Sequence, residues 1–296
     1  SLDKSRAKQL WAEAGLPVPR GIRTEVFEEA FSTAVDLGFP VMVKPLEGSG
    51  RRGVRSVWRE EELRPAFDEA QAISPVVLVE ELVLGRHLDV NGLWLDGRFH
   101  RCGIAERFFS PPPYAYPLWG YQEAILDESR REEIYRLVQK ASSCLGIREG
   151  PVNADLIVQD DSAFLIEMAP RFHGDIGTSF VTPLVSGCNP VRSLFAHLAR
   201  IPDAEQYLRP THSRTAGWAA LFPDVCGTLN GIQGVSRVRQ QPAVHEVLIS
   251  ASVGDRIGPH RDNTTLCGFV VASADDRNSL KRLLDQATKT IRFICR

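Results

Sequence analysis

Apolar and polar positions along the chain follow two periods, one helical and one extended. From Leu2 to Ala14 the residues Leu10, Trp11 and Ala14 form one stripe, and Gly15, Pro17 and Pro19 end it, so the spacing predicts a helix. A second helix is expected from about Glu25 to Leu37, with Thr24 as N-cap and Gly38 at its end. Val41-Met-Val-Lys44 is a short apolar run that delivers a lysine into a glycine-rich turn. Gly53-Val-Arg-Ser-Val-Trp58 returns from that turn as a second extended run. Glu60 to Ala72 reads as a helix with Leu63, Phe67 and Ala70 on one side and Pro65 in its first turn. Pro75 to Glu81 reads as a buried strand ending in two acids.

The same reading continues downstream. Leu88 to Leu95 and Arg98 to Glu106 form a hairpin about Asp96-Gly97. Arg107 to Tyr121 is too rich in proline for regular structure and too aromatic for a solvated linker; it either lines a pocket or packs on the core. A helix is predicted from Glu128 to Leu145, ended by Gly146. Val152 to Val158 and Ala163 to Met168 make a second hairpin about Asp160-Asp161-Ser162, and Val191 to Leu198 is a helix. Beyond Pro202 the pattern predicts strands at Ala216–Phe222, Gly234–Arg239, Val244–Ser252 and Leu266–Ala272, then a helix capped by Ser273. Residues 204–296 thus read as a small α+β lobe.

Composition adds limits. With 296 residues, 43% of them hydrophobic, the chain suffices for about two domains or one composite domain. Thirty-five basic and 37 acidic residues leave a net charge of −2, so no nucleic-acid partner is expected. No apolar run reaches the length of a membrane span, so no membrane partner is expected either. The six cysteines are scattered without a C-x-x-C, which suits reduced thiols and a cytoplasmic location.

Three stretches carry candidate chemistry. Gly48, Gly50 and Gly53 match G-x-G-x-x-G, but a strand rather than a helix follows, which argues against a dinucleotide fold. Val54-Arg55 stands where a Walker A loop needs Lys-Ser/Thr. A hairpin whose free N–H groups cover phosphates, with Lys44 beside them, and an ordinary Gly-rich hairpin both remain open. In the second hairpin, a turn centred on Asp161 puts Asp155 and Glu167 face to face. Like charges there repel unless a cation is shared, and carboxylates are the preferred ligands of Mg²⁺. Two acids diverging to solvent is the other reading. Arg171, just past that strand, could grip an anion bidentately or form a surface ion pair.

In this order the features resemble the ATP-grasp superfamily. The residues that carry the resemblance are Asp3-Lys4, Lys44-Pro45 with Gly48-Ser49-Gly50 and Gly53-Val54, Val79-Glu80-Glu81-Leu-Val83 through His87, and Asn153-Ala-Asp155 with Leu165-Ile-Glu167-Met-Ala169-Pro-Arg171. They span residues 1 to about 200. The resemblance implies an α+β, ATP-grasp fold: two α+β subdomains, residues 1–83 with the flap and 84–203 with the metal site, whose antiparallel sheets sandwich ATP. The C-terminal lobe at 204–296 is added to these. It implies that Lys4 and Lys44 contact the phosphates, that Gly48, Ser49, Gly50 and Gly53 belong to the flap, and that Glu80 accepts from the adenine amine. Backbone of Glu81 and Val83 would read the rest of the ring and His87 the ribose. Asp155 and Glu167 would bind Mg²⁺, with Mn²⁺ as the alternative, and Arg171 would steady an acyl phosphate.

The chain departs from the family's Glu-x-Asn-Pro-Arg at one position. Ala169 stands where the asparagine, a common second-metal ligand, is usual. Residues 103–114 and 243–272 further resemble L-amino-acid ligases and related carboxylate–amine ligases. The implied reaction activates a small-molecule carboxylate with ATP and joins it to an amine, giving an amide, ADP and phosphate. Lys44 and Arg171 are the implied catalytic residues. Glu106 and His173 are candidates for substrate contact from position alone. A bicarbonate-using carboxylase and a nucleotide-binding module without turnover are the alternatives. The family begins with a further N-terminal domain, so a domain of the same protein is expected before Ser1, and the reading is compatible with a homodimer.

Overall fold

The computed structural model describes residues 4–174 and 176–296. The predicted helix start at Leu2, the Asp3 of Asp3-Lys4, and Asp175 lie outside the described residues. Helix α1 (Lys4–Glu13) lays Ala7 and Trp11 into the core, and the Trp11 indole donates to the Ala141 carbonyl at 3.0 Å. Next come β1 (Gly21–Thr24), α2 (Phe27–Leu37), β2 (Val41–Pro45), β3 (Arg55–Val57), α3 (Leu63–Gln71) and β4 (Val77–Glu81). These strands form one antiparallel sheet in the order β1-β4-β2-β3.

Alternation along the strands sorts that sheet's faces. Val41, Val43, Val77 and Val79 pack against Ala30 and Ala34 of α2 and the stripe Leu63, Ala66, Phe67 and Ala70 of α3. Lys44 and Glu80 are buried on the other face. Gly38 leaves α2 at φ 80° and ψ 138°, a positive φ that glycine adopts without a Cβ penalty.

An eight-stranded sheet makes the second layer. It contains β5 (Arg86–Leu95), β6 (Arg98–Phe109), β7 (Pro117–Gln122), then, after α4 (Glu128–Cys144), β8 (Gly150–Val158) and β9 (Ala163–Ala169). Helices α5 (Thr182–Ser186) and α6 (Pro190–Leu198) lead to β10 (Thr215–Ala220), β11 (Gly227–Gln233), α7 (Val235–Arg239), β12 (Val244–Ile249), β13 (Arg256–Ile257), β14 (Gly268–Ala274), α8 (Arg277–Thr290) and β15 (Arg292–Cys295). The large sheet runs β12-β14-β10-β7-β6-β5-β8-β9, so strands from beyond residue 204 continue the sheet that carries residues 86–169. A small sheet, β13-β11-β15, completes the C-terminal part.

Three expectations are corrected. The stretch from Arg107 to Tyr121 is not irregular throughout: β6 reaches Phe109 and β7 starts at Pro117. The prolines concealed an aromatic alternation, in which Phe108 stacks on Trp119 at 4.3 Å. Gly234–Arg239 is a helical turn rather than a strand. Gly234 takes φ 84°, and Val238, one turn beyond Val235, is fully buried. Ser273 stays in β14, and Asp276 caps the last helix, accepting from the N–H groups of Asn278 at 2.8 Å and Ser279 at 2.9 Å. Among the described residues no helix is long and apolar enough to cross a membrane.

Candidate nucleotide and metal site

Two layers meet at the site: the free face of the first sheet with its flap, and one face of the eight-stranded sheet. On the first, Lys44 Nζ lies 2.6 Å from one oxygen of Glu80, and Lys8 of α1 donates to the other. All three side chains are buried. Burial works to raise the Glu80 pKa, but Lys44 and Lys8 outweigh it and hold the carboxyl below its usual range. Burial, then the neighbouring Lys44 charge, depresses Lys8 to about 7 against the opposing pull of Glu80. Two lysines on one carboxylate leave a buried excess of positive charge, which suits a polyphosphate.

The flap itself spans Leu46 to Val54. Leu46 N–H bonds to the Val76 carbonyl at 3.0 Å at its base, and Val54 N–H closes the turn on Arg51 O at 3.2 Å. None of the N–H groups from Gly48 to Gly53 donates to a described residue. Gly50 and Gly53 take φ of 67° and 65°; a Cβ on Gly53 would also meet Ile73 at 2.7 Å. The turn therefore presents a row of unspent donors, the arrangement that cradles anions.

Arg51 hangs from this flap over the opposite layer, its guanidinium 4.8 Å from the Phe109 ring. Burial, then the Arg107 charge, pulls Arg51 down to about 10, while Asp155 and Glu167 act in the other direction. Strand pairing places Asp89, Asp155 and Glu167 in one row across β5, β8 and β9. His87, two residues before Asp89, shares their face; its ring lies 4.7 Å from Phe109. Burial, followed by Arg51 and Arg107, lowers His87 to about 4, so it is neutral at physiological pH and free to bond hydroxyls.

Asp89 is the most heavily committed acid. His173 Nε2 is 3.0 Å and Arg107 Nη1 3.5 Å from its Oδ2, and Asn153 donates to its Oδ1. Burial opposes its charge, yet His173, Arg107 and Asn153 together hold it at about 2. The Asp155 carboxylate has no hydrogen bond to a described residue. Burial, then the adjacent Asp89 charge, raises it to about 6 despite Arg107 and His173. The ligand atoms of Asp89, Asp155 and His173 all lie within 4.8 Å of one another, whereas Glu167 sits at the cleft edge with Lys4 Nζ 4.0 Å away. With Asp89 already satisfied, Asp155 and Glu167 are the carboxylates left to a hard cation, and the donor set fits Mg²⁺.

The remaining predicted positions fall as follows. Ala169 pairs with Asn153, which in turn pairs with Asn91, so carboxamides occupy the neighbouring strands of its row. Arg171 is exposed and donates to the Phe172 carbonyl at 3.0 Å. The Glu81 carboxylate binds Arg20 at 2.8 Å and its N–H bonds to Arg20 O at 2.9 Å, while Val83 follows on the connection to β5. Ser49 lies at the flap tip. Glu106 faces away from the cleft: it pairs with Leu88, a residue of the α4-packed core, and binds Arg86 at 2.8 Å and Tyr121 at 2.5 Å. Its expected substrate contact is therefore corrected, because adjacent residues on a strand point to opposite faces and Arg107 takes the cleft side. His173 does reach the site, through Asp89. Sequence reasoning missed Lys8, Arg51, Asp89 and Arg107. The i, i+4 spacing of Lys4 and Lys8, and the alternation His87-x-Asp89, were signals for two of them.

Two family models match the chain. Residues 219–296 match L-amino acid ligase C-terminal domain 2, and residues 3–91 match the carbamoyl-phosphate synthase L chain, ATP binding domain. An uncharacterized protein of Sinorhizobium fredii, y4rH, is 30% identical over 297 residues, covering 98% of this chain and 60% of that protein. A D-alanine–D-alanine ligase of Azoarcus sp. is 29% identical over 181 residues, 57% of this chain and 56% of the ligase. The chain thus spans less than two thirds of these relatives. The crystal structure of L-amino acid ligase from Bacillus licheniformis superposes with a TM-score of 0.82 at 22% identity, over 99% of this chain and 72% of that one.

Proposed function

We propose, from the premise that this chain belongs to the ATP-grasp superfamily, that it is the nucleotide- and metal-binding part of an ATP-dependent carboxylate–amine ligase. A carboxylate oxygen attacks the γ-phosphorus of ATP, the bond to the β-phosphate oxygen breaks, and ADP leaves an acyl phosphate. An amine nitrogen then attacks the acyl carbon, phosphate departs, the amine loses a proton, and an amide or peptide bond remains. The observation that carries this reading is the row of unspent flap N–H groups over a face holding Asp155 and Glu167, with Lys44 and Lys8 buried at one end.

In this reading Lys4, Lys44 and the flap from Gly48 to Gly53 hold the phosphates, with Lys44 on the stretch nearest Glu80. Glu80 meets the adenine amine, backbone of Glu81 and Val83 the ring, and neutral His87 the ribose. Asp155 and Glu167 would hold Mg²⁺, which when bound neutralises charge on the phosphates. Arg171 is exposed and lightly held, so it is free to turn onto the acyl phosphate. Catalysis rests on positioning and charge neutralisation. Buried Asp89 and part-buried Arg107 fix the floor on which this happens.

The test is a phosphate-release screen of the intact protein with ATP, Mg²⁺ and pairs of amino acids, beside arms with bicarbonate or no acceptor. Amide product formed together with ADP is expected. Turnover that depends on bicarbonate would select a carboxylase. Nucleotide binding without phosphate release in any arm would select a non-catalytic module.

A further inference from the structure

The flap tip has one backbone anchor outside its own turn among the described residues. The N–H of Asn263, in the C-terminal part, donates to the Gly50 carbonyl at 2.9 Å. The approach is close: a Cβ on Gly50 would lie 3.7 Å from the Asn263 Cβ. Around it the two segments are drawn together by a shared ring. The guanidinium of Arg55, on the strand leaving the flap, lies 5.3 Å from the Tyr114 ring, and that of Arg261, two residues before Asn263, lies 5.5 Å from it. Tyr114 also donates to Glu69 of α3 at 3.3 Å, and Ser56 N–H bonds to Pro113 O at 3.1 Å.

The Asn263 N–H is held in place from its own side. Asp262 Oδ1 accepts from Thr264 N at 2.7 Å and from Thr264 Oγ1 at 2.6 Å, which folds a short 3₁₀ turn over Asn263–Thr265. His260 pairs with Thr265 at 2.8 Å and packs 5.2 Å from Phe222 and 5.9 Å from Tyr116. A rigid donor thus meets a tip carbonyl of a glycine turn whose other backbone groups, from Gly48 to Gly53, make no bond outside the turn among the described residues. Buried, unpartnered polar atoms flank the joint on both sides, Nε of Arg51 and Oδ1 of Asn263.

We infer that Asn263 is a positioning residue for the flap: its backbone N–H latches Gly50, so that the C-terminal part holds the phosphate-covering turn, and Arg51 with it, over the acid row. The inference rests on reading the flap as the nucleotide lid. Removing the latch leaves the chemistry in place and shifts the flap toward open states.

The latch uses a main-chain donor, and one substitution deletes it alone. Asn263 is the first residue of its turn, the position that proline favours, and Asp262 before it is extended at φ −157° and ψ −168°. Asn263→Pro therefore keeps the turn and removes the donor, whereas Asn263→Ala keeps the donor. Trypsin reads the outcome, because Arg51 and Arg52 lie in the flap. In the intact protein, Asn263→Pro is expected to speed cleavage there by about 2- to 10-fold, the range that one net hydrogen bond carries. Asn263→Ala and cleavage after Arg282 in α8 should match the wild type. Flap cleavage of Asn263→Pro at the wild-type rate would overturn the latch. Hydrogen exchange on the unsubstituted protein gives a second reading: an Asn263 amide exchanging at the rate of a free loop would also overturn it. Failure of MgADP to slow flap cleavage in the wild type would count against the nucleotide lid instead.

Discussion

Asp155 and Glu167 stand directly opposite each other on β8 and β9 because the strand register shifts just beyond Asp155. From Leu156↔Leu165 to Val158↔Ala163 the hairpin keeps a pairing that, continued, would put Ile166 opposite Asp155. The irregularity inserts one residue and brings Glu167 round instead. Asp89 faces Asp155 from the other side, so three acids share one row. Bulges of this kind re-aim side chains at functional sites, and here the shift gathers like charges that would otherwise lie apart.

That row opposes stability. With its pKa at about 6, Asp155 exceeds the ordinary carboxyl value of 3.8, so its ionised form costs at most about 3 kcal/mol near neutral pH. Asp155→Asn should raise the stability of the metal-free protein by up to that amount above pH 6. Because the folded state holds its proton more tightly, the gain should shrink as pH falls through 6 and vanish near 4. Urea unfolding at pH 5 and pH 7.5 measures it. The same substitution should lower turnover at least 100-fold; a less stable variant would mean that the acid is satisfied by protein groups.

Metal binding should follow the same proton. A cation needs the carboxylate form, so each ion bound to Asp155 displaces a proton once the pH is below about 6. Affinity for Mn²⁺, followed by its electron spin resonance signal, should be flat from pH 7 to 8 and fall roughly tenfold per unit below 6. Glu167→Gln should weaken binding across the whole range. Binding unchanged between pH 7 and 5 would place the ion elsewhere.

Lys8 should make nucleotide binding depend on pH at the alkaline end. Held near 7 by burial and Lys44, it is partly neutral at physiological pH, and phosphates nearby would draw its proton back. ADP affinity should therefore fall as pH rises from 6.5 to 8.5, by about tenfold if the pKa climbs one unit on binding. Lys8→Met should flatten that slope while leaving the Lys44–Glu80 pair intact. Calorimetry in buffers of different ionisation enthalpy would show proton uptake in the wild type and none in the variant.

What the sequence disclosed follows from which signals are local. Ordered spacings of Lys44, the glycines, Glu80, Asp155 and Glu167 pointed to the fold, and alternation along β2 and β8 placed their side chains. The facing of Asp155 and Glu167 was expected from a turn centred on Asp161. The pairing is as expected, but it comes from the register shift, which no local pattern announces. Asp89 and Arg107 were legible only as residues next to hydrophobic ones. Their meaning depends on β5 pairing with both β6 and β8, a long-range fact. Glu106 misled for the same reason: chain position alone did not say which face it takes.

Arg51 ties the flap to the site electrostatically, and His87 reports on it. After burial, the Arg51 charge is the next largest cause holding His87 at about 4. Arg51→Met should raise the His87 pKa measurably toward its ordinary 6.5, stopping short because burial and Arg107 persist. Histidine ring proton shifts followed by NMR from pH 3.5 to 8 give the value, with His87→Gln identifying the resonance among the seven histidines. The sign follows from the charge: a cation nearby disfavours imidazolium, so its removal eases protonation. Loss of the latch through Asn263→Pro should move His87 in the same direction by a smaller amount, since the flap then spends part of its time away. A His87 that stays near 4 in both variants would mean that Arg51 does not sit over this face in solution.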